Sequence, residues 1–171
     1  ETPSPEEHLE NNTAVTNTPV QWTSQELCGS IVVDTIIPDK GSPYIISCSI
    51  TVKPGVSLTL DEGAIFKMKS TSISIQVYGD LAVTGTADSL VTLTSYKDDS
   101  VGGDSNGDGS ATIPAKGNWD GIEIFSGGSA ILDYAVIRYG GYSISTGLVT
   151  LNGGGSLTLT NSVLEHSQMH G

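Results

Sequence analysis

The chain has 171 residues, 19 acidic and 7 basic, for a net charge of −12; nucleic-acid binders carry a basic footprint, and none is present. Charged residues make up 15% and glycines number 21, interrupting repeated Leu, Val, Ile and Thr, which points to regular β-structure rather than helix. No run approaches the roughly 20 apolar residues of a membrane-spanning helix, and the acidity suits divalent cations or the solubility of a secreted chain.

Residues 1–22, ETPSPEEHLENNTAVTNTPVQW, read as a polar arm or linker, because such a composition buries too little apolar surface to offset its ordering entropy. Core-type residues enter only at Val20 and Trp22, and Asn11-Asn12-Thr13 fits a glycosylation sequon. The start carries no leader pattern, as expected of a chain whose leader has been removed. Residues 23–171 read as one β domain.

Cys28 and Cys48 are open to two readings, as small buried hydrophobes or as a disulfide, which an extracellular setting favours. Their separation of 20 residues is close to one repeat, so adjacent coils would set them side by side.

Period-2 alternation then begins: Ile50 and Val52, Leu58 and Leu60, Ile73 to Val77, Leu81 and Val83, Val91 and Leu93. After a gap it resumes at Ile122 and Ile124, Val149 and Leu151, Leu157 and Leu159. Each is a strand signal, and Gly, Pro, Asp or Asn separate the segments. The segments repeat. GVSLTLDEGAIF, GGSAILDYAVIR and GGSLTLTNSVLE are similar, and Ala130 against Leu157 and Ile122 against Val149 share an offset of 27. Leu58 against Leu81 and Ile50 against Ile73 share an offset of 23. Such a period, with several short strands in each, predicts a parallel β-solenoid with three short strands per coil. Its coils fall at 48–68, 73–94, 121–138 and 147–165, about four to five in all. A two-sheet sandwich needs no fixed offset, and no segment keeps the 3.6-residue period of a helical repeat.

The third coil is delayed by an insertion at about 96–118 that holds DSNGDG. Calcium takes six to eight oxygen ligands, and Asp104, Asn106 and Asp108 stand at positions 1, 3 and 5 of a loop whose Gly109 permits the sharp turn at position 6. The carbonyl of Ser110 would follow at position 7. Ala115 occupies position 12, where an EF-hand carries a bidentate Glu, so the remaining oxygens must come from Asp98, Asp99, Asp120 or backbone carbonyls. The competing reading is an Asp/Gly turn without metal. Trp119, at the return from the insertion, reads as a cover over the stack; a sugar-stacking platform, with Tyr139 and Tyr142 beside it, is the alternative. Tyr134 flanks the same coil.

No catalytic set emerges. Arg138 is the only arginine, and Lys40, Lys53, Lys67, Lys69, Lys97 and Lys116 are dispersed. Asp120, Glu123 and Asp133 are available for a carboxylate pair, but Glu123 lies between core residues and so points outward. His8, His166 and His170 form no zinc pattern with the cysteines.

The stretch SPYIISCSITVKPGVSLTLDEGAIFKM, followed by VYGDLAVTGTADSLVTLTS, the Asp/Gly-rich loop and GNWDGIEIF, resembles secreted and cell-surface right-handed parallel β-helix repeat proteins of bacteria and archaea. These share the pectate-lyase-like superfold, and the resemblance covers about 42–140. It implies a right-handed β-helix belonging to a surface or secreted chain. Many such proteins have no assigned activity and some relatives cleave polysaccharides, so fold alone does not decide function.

The last strand is followed by HSQMHG. An uncapped solenoid end leaves unpaired backbone groups, so either further chain continues the stack or another molecule covers it. Copies stacked head-to-tail would form a filament, with the 1–22 arm docking on the neighbour as an added strand. The expected function is a non-catalytic extracellular structural or adhesive module, calcium-stabilised, pairing with itself or with further domains. The alternative is a carbohydrate-binding or lyase-like β-helix with glycan partners.

Overall fold

The computed structural model describes residues 26–40, 42–143 and 147–169. The arm at 1–22, its sequon, Val20, Trp22, His8 and His170 lie outside the described residues.

Fourteen strands form, with no helix among the described residues. They are β1 (Glu26–Ile31), β2 (Thr35–Ile37), β3 (Tyr44–Val52), β4 (Ser57–Asp61), β5 (Ile65–Met68), β6 (Ser74–Val77) and β7 (Asp80–Thr84). Then come β8 (Val91–Ser95), β9 (Gly121–Ile124), β10 (Ser129–Asp133), β11 (Ala135–Arg138), β12 (Val149–Leu151), β13 (Ser156–Thr160) and β14 (Val163–Glu165). All pair in parallel, in one sheet ordered β12-β9-β6-β3-β5-β8-β11-β14, with β1 also on β3, and a second ordered β13-β10-β7-β4-β2. β3 is long enough to serve twice, its start pairing β5 and its end pairing β6. This is an all-β arrangement of curled parallel sheets, consistent with a parallel β-solenoid.

The alternating pattern sets the interior. Leu58, Leu81, Ala130 and Leu157 are successive partners across four strands, as are Leu60, Val83, Leu132 and Leu159. Tyr44 lies against Phe66 with ring centroids 5.5 Å apart, and Phe66 pairs Leu93. Stacking like on like at about 4.8 Å gives each apolar side chain a neighbour of similar shape above and below. The offset of 27 is borne out in both series. So is the pairing of Leu58 with Leu81, but Ile50 pairs Ile75 rather than Ile73. The corner between β5 and β6 is longer than the bend within β3, and Ile73 is buried in that corner, where its carbonyl accepts the Asp120 N–H at 2.8 Å.

Outward positions of the second sheet follow a different rule. Asp61, Thr84, Asp133 and Thr160 are successive partners, so a hydroxyl separates each carboxylate from the next. Thr160 donates to Asp133 at 2.7 Å. Carboxylates on every rung would stand directly opposite one another, which is destabilising.

The corner that leads into this sheet is closed by glycine. A Cβ on Gly79 would lie 2.3 Å from the carbonyls of Lys53 and Val56, and one on Gly128 would lie 2.3 Å from that of Val77. Each corner nests on the backbone below. At the opposite bend Cys28 and Cys48 form a disulfide with a Cα–Cα distance of 4.9 Å, tying β1 to β3.

Gly128→Ala is expected to lower stability by about 1–3 kcal/mol in chemical denaturation, the usual size of an overpacking strain; an unchanged midpoint would refute the nested corner. Reduction, or replacement of both cysteines by Ser, should cost about 3 kcal/mol for a cross-link closing a 20-residue span, read as a fall in Tm with and without reductant.

Candidate functional site

The insertion leaves the stack after Ser95 and returns at Gly121. Its two ends are joined by one amide: Oδ1 of Asn118 accepts the Ser95 hydroxyl at 3.0 Å and the Ala115 N–H at 2.9 Å. The loop then lies back over the outer face of β5 and β8. A Cβ on Gly102 would come within 3.4 Å of Pro43 and Ile65, and Nζ of Lys67 donates to the Gly103 carbonyl.

Within the loop, Asp104 organises the turn that follows it. Its Oδ1 accepts the N–H of Gly107 at 2.8 Å and of Asp108 at 3.3 Å, and its Oδ2 accepts that of Gly109 at 2.8 Å. The chain can bend this sharply because Gly107 and Gly109 take φ values of 70° and 74°. Asp108 accepts the Thr112 hydroxyl and the Asn106 Nδ2–H, the latter at 2.8 Å. The Thr112 hydroxyl is the main cause holding the Asp108 carboxyl below its ordinary value.

Asp99, Asp104 and Asp108 each bring a carboxylate oxygen within 4.8 Å of the others. Two oxygens of the loop, Oδ1 of Asp99 and Oδ1 of Asn106, are buried with no hydrogen-bond partner. An unmade bond at a buried acceptor costs about 1–3 kcal/mol, and here two such acceptors belong to residues of the same loop. Ser110 is exposed, just after the Gly109 turn.

Two expected ligands lie elsewhere. Asp98 is 1% exposed and both its oxygens are engaged. Oδ2 accepts from Thr94 and from Arg138, at 2.9 Å from Nε and 2.7 Å from the terminal nitrogen, while Oδ1 accepts the Ser100 hydroxyl at 2.6 Å. Burial would raise its pKa, but the Ser100 and Thr94 hydroxyls and the Arg138 guanidinium together hold it below the ordinary carboxylate value. Asp98 is therefore the staple between insertion and stack, because Arg138 on β11 needs a buried counter-charge. Asp120 is outside the carboxylate cluster, and its Oδ1 accepts the Ser143 N–H at 3.0 Å.

The aromatic candidates separate. Trp119 is 0% exposed and its Nε1 donates to the Arg138 carbonyl at 2.8 Å. Gly140 gives it room, since a Cβ there would lie 2.9 Å from the indole. Its ring is packing and offers no platform. Tyr139 stacks on His166 at 4.9 Å, and Tyr142 is 49% exposed. Of the carboxylates weighed for catalysis, Glu123 points outward on β9 between buried Ile122 and Ile124, and Asp133 lies on the other sheet, engaged by Thr160 and Asn161. A cleft of about 320 Å³ lies between residues 68–71 and the loop, with Lys69, Tyr96, Lys97, Asp108 and Asn118 in its wall.

Sequence reasoning missed the cations beneath the loop, Lys67 and Arg138. The only signal was a lysine between buried Phe66 and Met68, and outward positions on strands are ordinarily solvated. No protein-family model, curated protein or solved structure matches the chain, so the site is read from its own geometry.

Asp98→Asn should cost about 3 kcal/mol, the low end for breaking a buried pair, because Arg138 keeps Glu165 at 3.5 Å. Because its folded pKa is depressed, Asp98 contributes stability that is present above its unfolded value near 4 and lost as pH falls through the folded one. The wild-type Tm should fall more steeply below about pH 4 than that of D98N; parallel curves would refute this assignment.

Proposed function

We propose that the chain is an extracellular, non-catalytic structural or adhesive module, a right-handed parallel β-helix of about four to five coils that assembles end to end and is stabilised by calcium. The observation that carries the reading is its last rung. β12, β13 and β14 are each paired on one side only among the described residues. Leu151 and Leu159, in register with buried Ile124 and Leu132, are 51% and 42% exposed. Open strand edges with apolar side chains in core register are a template for another parallel rung. A second copy offers strands of matching spacing, and so would further coils of a longer surface chain. The disulfide supports an extracellular location, where such bonds persist. The resemblance of 42–140 to surface β-helix repeats supports the same assignment.

The donor set fits calcium. All donors are hard oxygens, and a cation with ligands at 2.3–2.6 Å holds oxygens at most about 5 Å apart, against the 4.8 Å of Asp99, Asp104 and Asp108. Those three and Oδ1 of Asn106 would hold the ion, with the Ser110 carbonyl available. The ion would supply charge neutralisation to a strongly acidic loop and nothing to a reaction.

A glycan-binding reading rests on the cleft beside the loop, where Tyr96, Met68 and two lysines meet hydroxyls and amides. A glycan array decides it: selective binding that Tyr96→Ala abolishes would displace the structural reading.

Calcium is expected to raise Tm and protect 97–118 from protease, and Asp104→Asn with Asp108→Asn should abolish both effects; a Tm indifferent to calcium and chelator would remove the metal. Electron microscopy and sedimentation should reveal calcium-promoted end-to-end assemblies that Leu159→Lys disrupts. A chain that stays monomeric at high concentration would overturn self-assembly.

A further inference from the structure

Lys67 is the one lysine with no exposed surface among the described residues. It sits on β5 between Ile45 of β3 and Thr94 of β8, pointing out of the stack into the underside of the insertion. Its ammonium carries three donors, yet its one hydrogen-bond acceptor is the carbonyl of Gly103, the residue just before Asp104. Among the described residues it makes no direct ion pair, while Asp98, Asp99 and Asp104 act on it through space. Asp98 is already taken by Arg138. What is left facing Lys67 is the pair Asp99 and Asp104, two of the three residues whose oxygens converge.

We propose that Lys67 is the insertion's tethered cation, an affinity-setting residue that holds the loop on β5 without metal and opposes a divalent ion entering at Asp99, Asp104 and Asp108. This rests on the cation reading above. The physical reason is charge. Asp98 is taken up by Arg138, and of the three carboxylates that converge, Asp99, Asp104 and Asp108, Lys67 offsets one, which leaves two negative charges for one divalent ion to neutralise. Removing Lys67 leaves a third. The buried ammonium cannot turn away into solvent as a surface lysine does, so its repulsion of an incoming ion is not relieved by a rotamer change. The site is thereby tuned to respond at high free calcium and to remain folded at low calcium.

The test is calcium titration by calorimetry on the full chain, in wild type, Lys67→Met, Lys67→Gln and Lys67→Arg, each checked for wild-type β circular dichroism. Met and Gln remove the charge in two chemistries, so that one survives if the other misfolds, and Arg keeps it. K67M and K67Q should bind calcium about tenfold more tightly, the effect of one charge removed from beside a dication at a partly solvated site, and K67R should match wild type. In chelator, the 97–118 segment of K67M should be cut faster than that of wild type, and calcium should restore its protection. Equal or weaker affinity in K67M and K67Q overturns the role of Lys67 and leaves the cation site standing. Absence of calcium binding in wild type and in every variant removes the cation site, and this inference with it.

Discussion

Register is the constraint on which the rest of this molecule depends. Parallel strands stacked at about 4.8 Å require each rung to place its inward side chains over those of the rung before. A slip of one residue would turn every inward leucine outward. The columns Leu58-Leu81-Ala130-Leu157 and Leu60-Val83-Leu132-Leu159 meet that demand across four strands. The corners must follow suit. Gly79 and Gly128 recur where backbone passes over backbone with no room for a Cβ, so the same corner is repeated on successive rungs. Outside, the alternation of Asp61, Thr84, Asp133 and Thr160 is the electrostatic counterpart, since stacking brings like side chains together and like charges must be interleaved.

An insertion is tolerated in such a stack only if it leaves and re-enters without disturbing register. Asn118 ties its two ends, and the Asp120 N–H reaches the Ile73 carbonyl one rung below, so β9 starts in line with β6. Between these points the loop carries its own charge balance. Asp98 reaches β11 through Arg138, which also lies 3.5 Å from Glu165 on β14, so one guanidinium couples the loop to two rungs. The loop is thus part of the lateral wall, and loss of Asp98 would be felt in the stack itself.

Much of this was legible in the sequence because repetition leaves a trace. Two strand series at an offset of 27 gave the pairing of β10 with β13 and of β9 with β12 directly. The insertion was visible as a break in alternation, and the cysteines as a spacing near one repeat. The sequence aligns Ile50 with Ile73 because Ile73, Ile75 and Val77 continue one alternation, which cannot reveal that its first member has become a corner. Contacts made across the loop were illegible for a different reason. Asp98 and Arg138 are 40 residues apart with no periodic relation, and nothing local marks Asp98 as a staple and Asp99 as a member of the cluster. Nothing in the sequence sets Lys67 apart from the other lysines, because only the folded loop buries it. Trp119 stands where the chain re-enters the stack, and it is fully buried there.

The two ends of the stack are not equivalent, and this separates two kinds of stability. At the first rungs Leu27, Ile31 and Ile37 are 3–5% exposed, and the disulfide pins β1 to β3. At the last rung the equivalent inward positions stand roughly half open at Leu151 and Leu159. Burying apolar surface contributes about 25 cal/mol per Å², so adding a rung there would gain both hydrophobic energy and the hydrogen bonds of three open edges. The insertion lies on the lateral wall and reaches the last rung in two places, through Arg138 to Glu165 on β14 and through Gly117, which lies against Gln168 and bonds to Gly140. On the proposed reading, ion binding would act on the order of the wall, and the open rung would be where a further strand joins. Were calcium to promote assembly as proposed, these contacts are where it would act, by fixing β14 and the residues after it in the register a following strand has to meet.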